Sequence, residues 1–550
     1  MNSPNKGKPT KNSIMSFLSE IYKKISSYQN IDVIVVTILM LIGVAVRALS
    51  FGQLPCGLNQ DEAFAGYEAY SLANYGTDSA GYHNPCYFIS WGIGMNVLES
   101  YLAIPFVKLF GLSVTTIRLP MLICSCISLF VFYLLLKEIF NKKVGLLGLF
   151  VLAISPWHIM LSRWGLESNL APAFLLFGFY FFVKGVKNNK YWMLSALMYG
   201  TALYAYSITW VVVPVCILFM GLYIILSKQK ISIKYTAISA GILFVLALPL
   251  ILFMLVNNGY IDEIRTSFFS VPKLVVMRES DISIENLMSS EIRENFFNLY
   301  WGENDNLIWN STEQFGLFYK ITSPFAILGF VRLLVGAILK LKKKEFSYSM
   351  LVVISTLCTF ISCLTLTNVN VNRINSIHIF TAMLITIGIY AIYEIAALLS
   401  DSNKTAKYTL YTIFALILLY SANSFYSFSN YYFNDYNEQI APHFKDGVGE
   451  AVEYINEHDY EKICVDSVQH PQILFYDKTP TPEYIKTVEY ANYPSAYMST
   501  KSFTKYTFGL TGRTNLDEYD AFIIRKENID YMKYHGFKIV EFGQYAVAHK

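Results

Sequence analysis

Eleven apolar runs, each long enough to cross a bilayer, begin near Ile31, Arg118, Val144, Leu170, Tyr191, Trp210, Tyr235, Ile321, Tyr348, Ile377 and Tyr408. A hydrocarbon core about 30 Å thick takes about 20 residues of helix, and it offers no water to satisfy an unpaired backbone N–H or C=O. A chain built this way has one fold class open to it, the polytopic α-helical membrane protein. Its composition agrees, with 54% hydrophobic and 15% charged residues among 550, against about 25% charged in soluble domains. The net charge of +3 is small, and the basic residues fall in short clusters with no stripe that could track a nucleic acid backbone, so that class of partner is excluded.

The lysine clusters set the orientation. They lie at the N-terminus (Lys6, Lys8, Lys11, Lys23, Lys24) and in segments 137–143, 184–190, 228–234, 340–344 and 404–407, which are every second loop. Cytoplasmic loops concentrate Lys and Arg, so the N-terminus is expected inside and, after eleven crossings, the C-terminus outside. Segment 88–111 is apolar enough to tempt a twelfth crossing, but that would place all five later clusters outside. It also carries Glu99, Pro105 and Lys108, and it is expected to lie at the outer surface as an interfacial or re-entrant helix.

Three regions follow: a cytoplasmic segment 1–30 leading into an uncleaved first span, a transmembrane domain 31–429, and an extracytoplasmic α/β domain 430–550. The outer face would gather the first external loop 52–116 and segments 155–169, 257–319 and 367–375. In the C-terminal domain the periodicities predict helices near 448–455 and 528–534, with strands near 462–466, 521–525 and 538–542. The role of that domain is not legible.

The first external loop holds the stretch most suited to chemistry, "CGLNQDEAFAGYEAYSLANYGTDSAGYHNPC". Phe64, Tyr67, Tyr70 and Ser71 recur at helical spacing and Gly76 stands where a C-cap would. Asn59 with Glu62 three residues later has the form of a capping box. The second helical position of Asp61 projects away from the cap, which makes Asp61 the better candidate base. Cys56 and Cys86 bracket this stretch and would pair only in an oxidising compartment with the right geometry.

In "SRWGLESN", Arg163 and Glu167 are four apart and would meet on a helical face. They form either a simple ion pair or a cation for an anionic group at the lipid surface. Trp157, His158 and Trp164 are expected in an interfacial aromatic belt. Arg373, in "NVNVNRINSIH" with no acidic neighbour, is either a snorkelling side chain or a phosphate clamp. His83 and Asn84 are candidates to touch a polar substrate, or are simply solvated. No Walker loop, GxGxxG or HExxH is present.

Together, "GLNQDEAFAGYEAYSLANYGTD", "LFGLSVTTIRLPML", "SPWHIMLSRWGLESNLAPAFLLFGFYFF" and "NRIN" resemble the GT-C superfamily of membrane glycosyltransferases. The likeness is greatest to bacterial members of glycosyltransferase family 39, of the protein mannosyltransferase and aminoarabinose transferase type, and covers about residues 31–400. The resemblance implies an inverting transfer of a sugar from a polyprenyl-phosphate donor to an envelope acceptor (protein, glycan or lipid) at the outer face of the cell membrane. It assigns Asp61 as general base or acceptor-positioning carboxylate and Glu62 as an acceptor contact. Arg163, Glu167 and Arg373 follow as donor-phosphate or site-shaping residues. Whether a divalent metal assists near Asp61 is left open, and no other cofactor is implied. The rival reading is a transporter or a flippase of lipid-linked sugars.

Overall fold

The computed structural model describes residues 31–276, 282–399 and 403–550. The expected cytoplasmic segment 1–30 lies outside the described residues. Each of the eleven apolar runs is helical: α1 (Ile31–Ala48), then, after α2 (Gln60–Tyr75) and α3 (Leu98–Phe110), α4 (Val114–Ile139), α5 (Lys142–Ile154) with its short continuation α6 (Pro156–Met160), α7 (Glu167–Lys187), α8 (Tyr191–Ala202), α9 (Thr209–Leu226) and α10 (Ile233–Asn257). A two-stranded hairpin, β1 (Ile264–Arg265) and β2 (Ser270–Val271), and α11 (Ser290–Gly302) precede α12 (Ser323–Lys342), α13 (Tyr348–Cys363), α14 (Asn375–Leu398) and α15 (Lys404–Asn434).

Among the described residues, seven of these helices are long and apolar enough to span a bilayer unaided: α4, α7, α9, α10, α12, α14 and α15. At 1.5 Å per residue, the 13 residues of α5 are short of the span, but the chain carries on through α6 after a break where Ser155 caps the next helix and Pro156 opens it. The 13 residues of α3 are likewise too few to cross, as expected for segment 88–111. Its Glu99 face is buried while Leu109 and Phe110 point outward, 74% and 68% exposed. Large apolar side chains such as Leu41, Phe244, Val245 and Leu419 cover the outside of the bundle, the surface a bilayer solvates.

Close helix packing uses small residues, as expected where lipid is as apolar as the side chains. A methyl on Gly329 of α12 would overlap the Leu384 carbonyl oxygen of α14, and one on Gly388 of α14 would overlap that of Phe325 on α12.

The C-terminal domain follows α16 (Tyr436–Ile440) and comprises α17 (Val448–Asn456), β3 (Ile463–Val465), α18 (His470–Asp477), α19 (Thr481–Thr487), β4 (Glu489–Tyr490), β5 (Thr500–Phe503), β6 (Tyr506–Phe508), β7 (Ala521–Arg525), α20 (Ile529–Tyr534), β8 (Lys538–Phe542) and β9 (Tyr545–His549). The five elements expected from periodicity are present within a residue or two. The seven strands run β4-β5-β6-β3-β7-β9-β8, with β3 parallel to β6 and β7 and the other pairs antiparallel. Alternate residues face opposite sides: Ile463, Val465, Ile523 and Val547 pack on Val452 and Ile455 of α17, while Cys464, Phe522, Ile524 and Ala546 pack on Met532 of α20.

This domain is docked on the first external loop. Tyr67 of α2 joins its core and donates to the Thr479 carbonyl at 2.8 Å. Gly66 makes room for the Phe475 ring, 2.7 Å from where a Cβ would stand. Gln472 donates to the Leu58 carbonyl and the Met498 N–H to the Trp91 carbonyl, at 2.8 and 2.7 Å.

One expectation is corrected here, and one question the sequence left open is answered. Segment 155–169 is folded into the protein interior, with Trp157, His158 and Trp164 each no more than 3% exposed, so it is no interfacial belt: Trp157 Nε1 donates to Asn375 and His158 Nδ1 accepts from Arg47. Cys56 and Cys86 are both free. Their thiols lie against different elements, the Asn437 and Pro249 carbonyls.

Candidate functional site

Helix α2 begins where Asn59 Oδ1 accepts the Asp61 N–H at 2.9 Å and ends at Gly76, whose φ of +72° suits a residue without Cβ. The N-cap is therefore as expected, but the reciprocal half of the capping box is absent. Glu62 turns instead to Arg118 of α4: Nε donates to Oε1 at 2.6 Å and Nη2 to Oε2 at 2.9 Å, with both side chains fully buried. Nη1 also donates to the Pro55 carbonyl and Nη2 to that of Gly57. The Gly165 N–H also donates to Glu62 Oε1, at 2.7 Å. Glu62 is thus a junction of α2, α4 and the loop before α7, and not an acceptor contact.

Asp61, one residue earlier, faces a cavity of about 760 Å³, within the range of small-molecule sites. Burial pushes its carboxyl up to about 6, a value suited to a base working near neutral pH. Glu167 and Ser168, at the start of α7, and Arg373, just before α14, line the same cavity. Glu167 accepts the Asn96 N–H, which fixes one carboxylate oxygen. The Ser168 hydroxyl is buried without a partner among the described residues, a polar group left for whatever occupies the cavity. Asn370 Oδ1 accepts the Arg373 N–H at 2.9 Å, and Asp305 accepts that of Val371, also at 2.9 Å; these bonds hold the loop that aims Arg373. Aromatic side chains supply much of the rest of the wall, among them Tyr87, Trp91, Tyr206 and Trp210.

Arg163 does not reach the cavity. Its guanidinium is fully buried and donates to the carbonyls of Val46, Arg47, Leu49, Ser50 and Leu54, so it caps the C-terminus of α1. The expected Arg163–Glu167 pair is not formed, because the chain breaks between them and only Glu167 is helical. Arg47 returns the arrangement, donating to the Leu152 and Ala153 carbonyls at the end of α5. Two arginines thus satisfy the orphan carbonyls of each other's neighbouring helix ends.

His83 and Asn84 also stand apart from the cavity. His83 Nδ1 lies 3.0 Å from the Gly76 carbonyl oxygen, and Asn84 donates to the Phe268 carbonyl at 2.9 Å. Both fasten the loop after α2.

Three contributors lay outside the sequence expectations. Arg118 stood inside "TTIRLP", a segment already singled out, but nothing marked its partner. Glu99 is 2% exposed, and both its carboxyl oxygens lack a hydrogen-bond partner among the described residues. Burial first, then the charges of Glu62, Glu167 and Asp61, raise its carboxyl well above the usual carboxylate range. The third is the C-terminal domain, whose Gln469, Tyr497, Met498 and Ser499 form part of the wall. Among the described residues no group of three or more His, Cys, Asp or Glu side chains is arranged to hold a metal ion.

Residues 97–255 match the family model of dolichyl-phosphate-mannose-protein mannosyltransferase. A search of curated protein sequences gives no significant match. The fold resembles that of the archaeal oligosaccharyltransferase AglB from Archaeoglobus fulgidus in complex with an inhibitory peptide and a dolichol-phosphate: TM-score 0.51, 13% identity, 82% of this chain covered. This chain spans 64% of the length of that one. It also resembles ArnT from Cupriavidus metallidurans in the apo state (TM-score 0.53) and bound to undecaprenyl phosphate (TM-score 0.50), each at 10% identity over 94% of this chain and 97% of that one. The chain has the GT-C fold of polytopic membrane glycosyltransferases.

Proposed function

We propose that the chain is a glycosyltransferase that moves a sugar from a polyprenyl-phosphate donor to an acceptor hydroxyl, with inversion, in the cavity lined by Asp61, Glu167 and Arg373. The observation that carries this reading is that three charged residues from segments far apart in sequence line one cavity, with the carboxyl of Asp61 poised at about 6. The GT-C fold and the lipid phosphates bound by the structural neighbours support it.

The acceptor oxygen attacks the anomeric carbon as the bond from that carbon to the phosphate oxygen breaks. The acceptor proton passes to Asp61, and the bonding electrons leave with the polyprenyl phosphate. That leaving group is weakly basic and needs no general acid; the Arg373 guanidinium supplies charge-assisted hydrogen bonds to it. Glu167, fixed by the Asn96 N–H, and Ser168 orient the sugar. Enclosure by the first external loop and the C-terminal domain favours transfer over hydrolysis by keeping bulk water out.

A transporter would place its ionisable groups near mid-membrane; here the cavity lies at helix ends and loops. The lysine clusters support an orientation with those ends at the outer face of the cell membrane. The test is transfer from radiolabelled polyprenyl-phosphate sugars in membranes holding wild type or Asp61→Asn. Loss of transfer with normal folding supports the assignment, and full-rate transfer by Asp61→Asn overturns it.

A further inference from the structure

Segment 491–499 of the C-terminal domain, "ANYPSAYMS", joins β4 to β5 and carries no charged residue. Its last three residues belong to the cavity wall, and its backbone is pinned to the first external loop by the Met498 N–H on the Trp91 carbonyl and a bridge between Gly92 and Tyr497. The neck of the loop is closed by its own polar groups: the Ala491 N–H donates to the Ser499 carbonyl at 2.8 Å, and Asn492 accepts from the Ser499 N–H and donates to the Tyr497 carbonyl at 2.7 and 2.9 Å. The result is a closed lip at the cavity. It holds outward two large rings, Tyr493 at 66% and Tyr497 at 57% exposed, the first stacked on Tyr490 with ring centroids 6.3 Å apart.

Resting on the transferase reading above, we propose that this lip is the acceptor-binding surface and that the acceptor is a neutral saccharide chain. Tyrosine offers a broad rigid face at low entropy cost with a hydroxyl at its rim, which suits a ligand that is neither charged nor wholly apolar. A pyranose ring has that character, with a C–H face that lies on the electron-rich face of an aromatic ring and a rim of hydroxyls. A peptide acceptor fits less well. Peptides captured in extended form add to a free sheet edge, and the edge strand here, β4, is two residues long with its neighbouring N–H groups already bonded. The lip continues into the wall that holds Asp61, so a saccharide lying across Tyr493 and Tyr497 would present its end to the base.

The experiment uses the full chain in nanodiscs without donor. Saturation-transfer NMR is recorded with chitotetraose, cellotetraose and maltotetraose, and with a neutral Ser/Thr peptide. The expected result is transfer to the ring C–H protons of at least one saccharide, with affinity falling about fivefold to tenfold in Tyr493→Ala and in Tyr497→Ala and retained in Tyr497→Phe. Should Tyr497→Ala fail to fold, the outward-facing Tyr493 carries the comparison. Binding of the peptide alone, of no saccharide, or of saccharide unchanged by both alanine variants overturns the proposal. So does a gain of quenching by brominated lipid in Tyr497→Trp beyond that of wild type, whose seven native tryptophans set the baseline; that would make the lip a membrane anchor. Binding is read without donor, so a chain that binds saccharide here but transfers no sugar in the radiolabelled-donor assay sinks the transferase reading and leaves the lip as a saccharide-binding surface. Transfer to peptide without saccharide binding sinks only this one.

Discussion

Glu62 and Arg118 form a fully buried bidentate pair, 2.6 and 2.9 Å, at the point where α2, α4 and the loop before α7 meet. The pair sits directly behind Asp61, which therefore takes its position from a neighbour that never touches substrate. Removing one partner leaves an uncompensated buried charge, at a cost of about 3–5 kcal/mol. Arg118→Met and Glu62→Ala are expected to unfold at markedly lower temperature than wild type in detergent, and Glu62→Ala to lose activity through loss of folded protein.

Asp61 gives activity an acidic limb. Its folded-state carboxyl is raised to about 6 by burial, and only the ionised form accepts a proton. Transfer at saturating substrate should fall as pH drops through about 6. Stability follows the opposite sign: the folded state holds this proton more tightly than the unfolded chain, so this group's contribution is most favourable at low pH and declines as pH rises towards about 6. A pH profile of transfer flat from about 5 to about 7, roughly one unit either side of the Asp61 carboxyl, would remove Asp61 from the role of base.

Burial and three neighbouring carboxylates hold the Glu99 carboxyl above the usual carboxylate range and oppose a charge there. Glu99→Gln keeps the shape and carries no charge, so its melting temperature should equal or exceed that of wild type and its transfer rate stay close to it. Glu99→Lys would force a longer, charged side chain into a closed site and draw Glu62 from Arg118, and is expected to destabilise the fold. Thermal unfolding of both variants checks this.

Arg163 separates two roles that the sequence left open. As a cap on α1, Arg163→Ala strands several buried carbonyls, each costing about 1–3 kcal/mol, so thermal stability should collapse. A phosphate clamp would instead show a raised KM for donor in a stable protein, and that outcome would contradict the geometry. Arg373→Ala, at the cavity wall, should give the raised donor KM with little change in unfolding temperature.

The glycines of α12 and α14 set how closely those helices approach. Gly329→Val or Gly388→Val would drive a side chain into the facing helix's backbone carbonyl, and overpacking of this kind costs about 1–3 kcal/mol or more. Loss of monodisperse protein on size-exclusion chromatography is the expected readout.

The sequence alone determined the membrane class, the eleven helical runs, the short surface helix α3, the cap-to-cap extent of α2 and the choice of Asp61 over Glu62 as the free carboxylate. These are local properties: periodicity, run length, turn chemistry and charge placement act within a few residues. Which charged residues face the cavity was decided only by the tertiary structure. Arg163 and Arg373 look alike in sequence, each a lone arginine beside a span, yet one satisfies helix-end carbonyls and the other lines the cavity, because a buried guanidinium takes whatever acceptors the packing of distant helices brings to it. Glu62 left its expected cap for the same reason: Arg118, 56 positions away, offers two charge-assisted bonds in place of one bond to a backbone N–H. The part played by the C-terminal domain in the cavity wall was beyond reach of the sequence as well, since no local pattern records which surface a folded domain will dock against.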